Sequence, residues 1–357
     1  MDSGTENQVV FFGCPLDPDE RAESIQEKHG IASGGGLPLT DPFQVVMAFI
    51  REEMADRNWA DLGSLPVPDW LTPAPGDLSR IRTEEFVSFL DDDGCRRAAG
   101  DVERFVSERI LPRIPCMVGV DHSLTAGAFK AVSDHYGKDN LSLIVLDSHT
   151  DAVPMSALAD AIQYDIDTNP ASPHDRNDPF LYDRADSVNA SSFIHHLLVE
   201  EIVLSENLFL VGVGDYPEKR AFRIKDPRIA GYVGVYKKMK QDGATILTKK
   251  DCASSPKKLK ALLGKLKTPY VYVSVDMDIG ARNAVEGVRF RDRRGLQEKQ
   301  IYRIVEAIGH LFSRRVRLAG LDITEINPRR AGGMSSSGED KTYRIAANLI
   351  EKIAFGR

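Results

Sequence analysis

From Cys116 onward, short and nearly unbroken hydrophobic runs alternate with longer stretches whose apolar positions recur every three to four residues. The runs are CMVGV (116–120), LSLIVL (141–146), LFLVGV (208–213), YVYVSV (270–275) and VRLAGL (316–321). Continuous apolar strands are expected where both faces of a sheet are covered, as in parallel sheets. The stretches Thr125–Ser133, Phe193–Val203, Pro256–Leu266, Glu298–Arg314 and Lys341–Ile353 predict helices. Pro256, preceded by two serines, suits a first helical turn, and Gly309 is a weak point in an otherwise good helix. Strand–helix alternation of this kind predicts the α/β class, with a mostly parallel central sheet and helices on both sides.

The first 115 residues carry a less regular pattern. VVFFGCPL (9–16) predicts a strand and PFQVVMAFIREEMA (42–55) a helix. Leu62–Leu78, with Pro66, Pro68, Pro73 and Pro75, predicts an irregular surface loop. Neither an internal repeat nor a sharp break in composition divides the chain, so one domain over residues 1–357 is expected, with an atypical region at 1–115.

Composition narrows the classes further. With 42% hydrophobic residues in 357, there is ample material for a core without a metal or disulfide staple. A net charge of −7 gives no basic footprint for nucleic acid and mildly favours cationic ligands. Cys14, Cys95, Cys116 and Cys252 are far apart and form no CxxC pair, which fits buried reduced thiols. Neither a signal-type apolar segment nor an 18-residue apolar run occurs, so a soluble cytoplasmic protein without membrane contact is the expectation.

The chemistry gathers at strand ends. CMVGV runs into Asp121 and His122, LSLIVL into Asp147, His149 and Asp151, YVYVSV into Asp276 and Asp278, and VRLAGL into Asp322 and Glu325. Ligands of open α/β sheets bind outside the carboxyl ends of the strands. Side chains at i and i+2 share one side of an extended chain, so D-x-H-x-D projects three ligands together and D-x-D two. Such a carboxylate cluster repels itself unless a cation compensates it. Two imidazoles with four carboxylates and no thiolate are too oxygen-rich for structural zinc, and imidazole favours a manganese-type site over magnesium. Six ligands exceed the usual share of one ion; divided between two ions about 3.5–4 Å apart, they make a site that activates water for hydrolysis.

In order and spacing, GVDHS (119–123), DSHTD (147–151), SVDMD (274–278) and GLDITEINP (320–328) resemble the four signatures of the ureohydrolase superfamily, the family of arginase, agmatinase and formimidoylglutamase. The resemblance covers residues 115–350 and implies a three-layer α/β/α sandwich, two manganese ions per subunit, and trimers or hexamers of the chain. It assigns one ion to His122, Asp147, Asp151 and Asp276, and the other to His149, Asp147, Asp276 and Asp278. Asp151, Asp278 and Glu325 become the catalytic residues, with Asp278 carrying a proton to the leaving amine. Glu325 would also bind the guanidinium group, a pairing that suits a planar cation and a carboxylate fork.

The chain departs from the family at four places. Val120 and Ser148 replace small residues of the first two motifs. DIGARNAVEGVRF (278–290) stands where a proline-rich loop normally follows the D-x-D pair. Asn189, in NASSFIHHLL, stands where arginases and agmatinases carry a proton-transfer histidine; formimidoylglutamase-type members also lack it. His195 and His196 are read as packing or surface residues. An insertion at about 152–190 carries Asp160, Asp165, Asp167, Asp175, Asp178, Asp183 and Asp186, pointing either to a larger cationic substrate, to a subunit contact, or to a solvated surface. Asp215, in VGVGDYPE, matches an acid at the amino-acid end of the substrate, and Asn189 is placed beside it as a substrate contact.

Three lesser motifs weigh little. SGGG (33–36) lacks the lysine of a phosphate loop, RRAGGMSSSGED (329–340) reads as a mobile loop, and PKKLKALLGKLK as the wet face of a helix. The expected activity is hydrolysis of a guanidino C–N bond to urea and an amine, on arginine, agmatine, a guanidino acid or peptidyl arginine. The alternatives are hydrolysis of a formimino or acylated amine, and a metal-binding homologue that has lost catalysis.

Overall fold

A computed structural model describes residues 7–33, 41–254, 256–281, 283–312, 316–335 and 338–356. Among these, eight strands form one sheet: β1 (Val9–Cys14), β2 (Trp59–Ser64), β3 (Ile114–Gly119), β4 (Leu141–Leu146), β5 (Leu208–Val213), β6 (Thr245–Thr248), β7 (Tyr270–Asp276) and β8 (Arg317–Thr324). Their spatial order is β2-β1-β3-β8-β7-β4-β5-β6, and every pairing is parallel. The helices are α1 (Ala22–Ser33), α2 (Pro42–Glu53), α3 (Thr83–Asp91), α4 (Gly94–Phe105), α5 (Thr125–Tyr136), α6 (Met155–Thr168), α7 (Phe193–Val199), α8 (Pro227–Gln241), α9 (Lys249–Ser254), α10 (Pro256–Leu263), α11 (Glu298–Phe312) and α12 (Thr342–Ala354).

Alternation along the strands divides the core into two. In β4, Leu141, Leu143 and Val145 face a core shared with α4, α5, α7 and α8, whereas Ile144 and Leu146 face one shared with α2, α10, α11 and α12. Two covered faces explain the unbroken apolar runs, and they make the three-layer α/β/α arrangement. Several helices begin on local signals: Asp41 accepts from the Phe43 N–H before α2, and Asp226 from the Arg228 N–H before α8, each followed by proline at the first helical position.

The differences from expectation lie at the margins of the sheet. β2 and β6 are the edge strands and only partly buried, and β6 has just four residues. With one neighbour and little cover, they need no continuous apolar run, so the pattern passed over both. β2 occupies the start of the proline-rich stretch expected to be a loop. Helix α7 ends at Val199, four residues before the predicted end, and residues 313–315 at the end of the predicted Glu298–Arg314 helix lie outside the described residues. So do Gly34–Gly36 of SGGG and residues 336–337 of the expected mobile loop. The flanks of that loop are anchored: Arg329 pairs with Asp17 at 2.9 Å and Glu27 at 3.1 Å, and Arg330 with Glu27 at 2.5 Å. Leu259 and Leu263 seat the lysine-rich helix α10 on the core, and all four cysteines are buried free thiols. Among the described residues, no helix is long and apolar enough to cross a membrane.

The strand order matters most for the site. β3, β8, β7 and β4 are consecutive in the middle of the sheet, so four separate strand ends open onto one place.

Candidate metal centre

His122, Asp147, Asp151 and Asp276 offer ligand atoms that all lie within 4.8 Å of one another, and Asp147, His149 and Asp278 form a second such group. Asp147 belongs to both. Asp276 is grouped with His122 and not with His149, so the described geometry has one shared carboxylate where two were expected. Around His122, Nδ1 is 2.9 Å from Asp151 Oδ2, 3.3 Å from Asp276 Oδ2 and 3.4 Å from Asp147 Oδ2. Around His149, Nδ1 is 3.0 Å from Asp278 Oδ2 and 3.6 Å from Asp147 Oδ1.

Local backbone aims these groups. Asp147 accepts from the His149 N–H at 2.6 Å and Asp276 from the Asp278 N–H at 2.7 Å, so each motif folds into a tight turn as its strand ends. Asp151 and Glu325 hold left-handed backbone, with φ of 46° and 63°. Non-glycine residues rarely adopt that region, and strain of this sort collects at functional sites. Behind the ligands, His122 Nε2 lies 2.9 Å from Ser274 Oγ, which donates to Asp322 at 2.6 Å. Asp322 also accepts from Tyr272 Oη at 2.7 Å, so this acid, expected among the ligand-bearing strand ends, is instead an inner support that fixes the imidazole.

The electrostatics fit a cation. Burial disfavours an imidazolium at His122, yet Asp147, Asp151 and Asp276 hold its pKa well above the usual value; His149 is raised likewise by Asp278 and Asp147. Burial and neighbouring carboxylates push Asp151 and Asp276 well up. Asp147, despite its burial, is held far below the usual range by the two imidazoles. Protons thus stand in for missing positive charge, and the buried Asp147 Oδ2 accepts no hydrogen bond. Oxygen and imidazole donors with an orphaned carboxylate oxygen fit a divalent metal.

A pocket of about 260 Å³ opens onto this cluster. Asp151, Asp276, Asp278, His149, Asp215 and Glu325 all contribute to its lining. Val153, Leu158, Tyr232, Tyr236 and Phe290 form an apolar part of the wall. Asp215 accepts from the Thr150 N–H at 3.1 Å and from Tyr236 Oη at 3.0 Å, and its buried Oδ1 has no partner. Glu325 accepts from the His122 N–H at 3.1 Å and from Arg289 Nη1 at 2.9 Å; burial pushes its pKa up to about 7 against the pull of Arg289.

Other expected residues lie elsewhere. Asn189 is occupied by its own turn, accepting from the Ser191 N–H at 2.9 Å and donating to Ser187 O at 3.3 Å; the lining at this edge comes from Ala190 and Ser191. His196 meets Arg96 at 3.1 Å, away from the pocket. None of the seven aspartates of the insertion lines the pocket. Asp167 pairs with Arg176 and Arg228, Asp178 caps Phe180, and Asp186 accepts from Ser156, so these three serve local structure.

Sequence reasoning missed Arg289, Tyr232, Tyr236 and the Ser274–Asp322 pair. The two tyrosines sit four apart on α8, and Ser274 lies two before Asp276 on β7, so periodicity would have placed both sets on the right face. For Arg289, no comparable signal exists.

The Arginase family model matches residues 8–356. No curated protein sequence matches this chain. Among solved structures, an arginase from Bacillus caldovelox is similar at 19% identity and a TM-score of 0.59, covering 98% of each chain. Proclavaminate amidino hydrolase from Streptomyces clavuligerus is similar at 16% identity and 0.57, over 98% of this chain and 93% of that one. Formimidoylglutamase from Bacillus subtilis gives 16% and 0.57, over 99% and 88%. These likenesses give the fold, and a family match over nearly the whole length gives the kinship: the chain belongs to the arginase family.

Proposed function

We propose that this protein is a hydrolase that uses two manganese ions to cleave a guanidino C–N bond, releasing urea and an amine. The observation that carries the reading is the pair of ligand groups sharing Asp147 at the floor of a pocket, with Glu325 on its wall. His122, Asp147, Asp151 and Asp276 would hold one ion, and Asp147, His149 and Asp278 the other. When bound, such ions supply Lewis acidity and lower the pKa of water, so that hydrolysis proceeds at neutral pH.

The chain's own groups do the rest. Glu325 Oε2, buried and without a partner, accepts an N–H of the planar substrate group and sets its carbon toward the floor. Asp278 Oδ2 takes the proton released by the attacking water and passes it to the leaving nitrogen. Tyr232, Tyr236 and Phe290 exclude water from the tail of the substrate, and Asp215 offers the one acid at that end. Its substrate belongs to the guanidino compounds: arginine, agmatine, a guanidino acid or peptidyl arginine. A formimino substrate is the second reading, favoured by Asn189 in place of a histidine and by its engagement in the turn. A cytoplasmic homo-oligomer, trimer or hexamer, is part of the same proposal.

The test is a urea assay of manganese-loaded protein against a panel of guanidino compounds, with formamide measured in parallel for formimino analogues. Urea from at least one compound is expected, lost in Asp276→Asn. A metal-loaded protein that releases urea from none of them sinks the guanidino reading.

A further inference from the structure

Arg289 is a cation inside the candidate site, only 6% exposed. Its Nη1 lies 2.6 Å from Asp121 Oδ2 and 2.9 Å from Glu325 Oε1. Both acids flank His122: Asp121 precedes it in the chain, and Glu325 Oε1 also accepts its backbone N–H. The loop fixes the arginine there. Its backbone N–H donates to Glu325 O at 3.2 Å, and Val288 bridges to Ile326. Gly287 lets the loop approach closely, since a Cβ at that position would stand 2.3 Å from Ala331 Cα. Asp17 and Asp19 approach Arg289 Nε no nearer than 3.9 and 3.8 Å and have closer partners in Arg329 and Arg21.

Asp121 and Glu325 thus share the one guanidinium nitrogen Nη1. The buried Glu325 Oε2 accepts nothing within the protein and is the acceptor left for a ligand of the pocket. A carboxylate distinguishes guanidinium from a point cation by receiving two parallel N–H bonds, and that grip needs both oxygens.

We propose that Arg289 is a specificity-determining positioning residue: it fills Oε1 of Glu325 from within the protein, so that a substrate is held by a single N–H at Oε2 and a two-pronged guanidinium grip is lost. The proposal rests on the pocket being the substrate site, as in the preceding subsection. Its consequence is a head-group preference unlike that of an open carboxylate fork: a guanidinium gains little over an ammonium of the same tail.

Equilibrium binding of butylguanidine and butylamine to the manganese-loaded full chain reads this directly, by calorimetry at low temperature and without reliance on turnover. In the wild type the two affinities are expected to agree within about threefold, and in Arg289→Gln the guanidine is expected to gain about tenfold, equivalent to about 1.4 kcal/mol. Arg289→Lys, which again donates to Glu325, should return toward the wild-type ratio, with manganese content equal in all three. A wild-type preference for butylguanidine of about tenfold or more overturns the proposal even if Arg289→Gln fails to fold. An unchanged ratio in folded, metal-loaded Arg289→Gln overturns it as well. If the ratios behave as stated while no guanidino compound yields urea, the proposed activity fails and the role of Arg289 stands.

Discussion

Asp151 and Glu325 occupy left-handed backbone beyond the ends of β4 and β8, and His122 contacts both. His122 is held at three points: Asp151 at ring Nδ1, Ser274 at ring Nε2, and Glu325 at the backbone N–H. Without metal the surrounding carboxylates hold His122 and His149 protonated well above their ordinary range. A ligating imidazole must be neutral, so metal uptake has to expel those protons. Manganese affinity should therefore rise with pH, with at least one proton released per chain near neutrality. Calorimetric titrations in two buffers of different ionisation heat measure the number directly, and a value of zero would contradict the electrostatics described. The acids and imidazoles that gather here were legible in the sequence as candidate ligands, because i and i+2 side chains share a face whatever the rest of the chain does.

At the scale of elements, the central strands announced themselves by their apolar runs, and the edge strands did not. Helices α4 and α5 show what packing adds. Gly127 on α5 lies against α4 so closely that a Cβ would stand 1.8 Å from Ala99 O, a backbone atom that cannot swing aside. Gly100, on α4 itself, has open space around its Cβ position. Gly127→Ala should cost at least about 1–3 kcal/mol through overpacking. Gly100→Ala should stabilise by up to about 1 kcal/mol, since alanine is the better helix former. Urea denaturation of the two variants, read by circular dichroism, checks both signs; equal effects would mean that the α4–α5 contact is looser than described. The insertion shows the opposite limit. Its aspartates are conspicuous as text, but in the structure Asp178 caps a turn and Asp167 pairs with Arg176 and Arg228, a local duty that composition does not distinguish from ligand binding.

For the whole molecule, the sheet order decides whether the motifs form one site. β3, β8, β7 and β4 come from chain positions 114 to 324 and lie side by side. The buried, self-repelling carboxylates they gather weaken the metal-free protein, and a cation bound only in the native state offsets this by mass action. At a free manganese concentration about a hundred times the dissociation constant, the gain is about 2.7 kcal/mol. For a chain of this size that is a rise of roughly 4 °C in Tm. Thermal denaturation with manganese and with chelator tests it, and identical midpoints would count against metal binding at this cluster.

By itself the sequence determined the α/β class, the central strands, and the residues that gather as candidate ligands, because apolar runs and alternate-position acids are short-range signals. Only the tertiary structure decided that Asp322 supports His122 from behind and that Arg289 reaches Asp121, 168 positions away, and takes one oxygen of Glu325. Those roles depend on which buried charge finds which partner. Such pairing is fixed by the packing of distant segments and leaves no periodic trace in the chain.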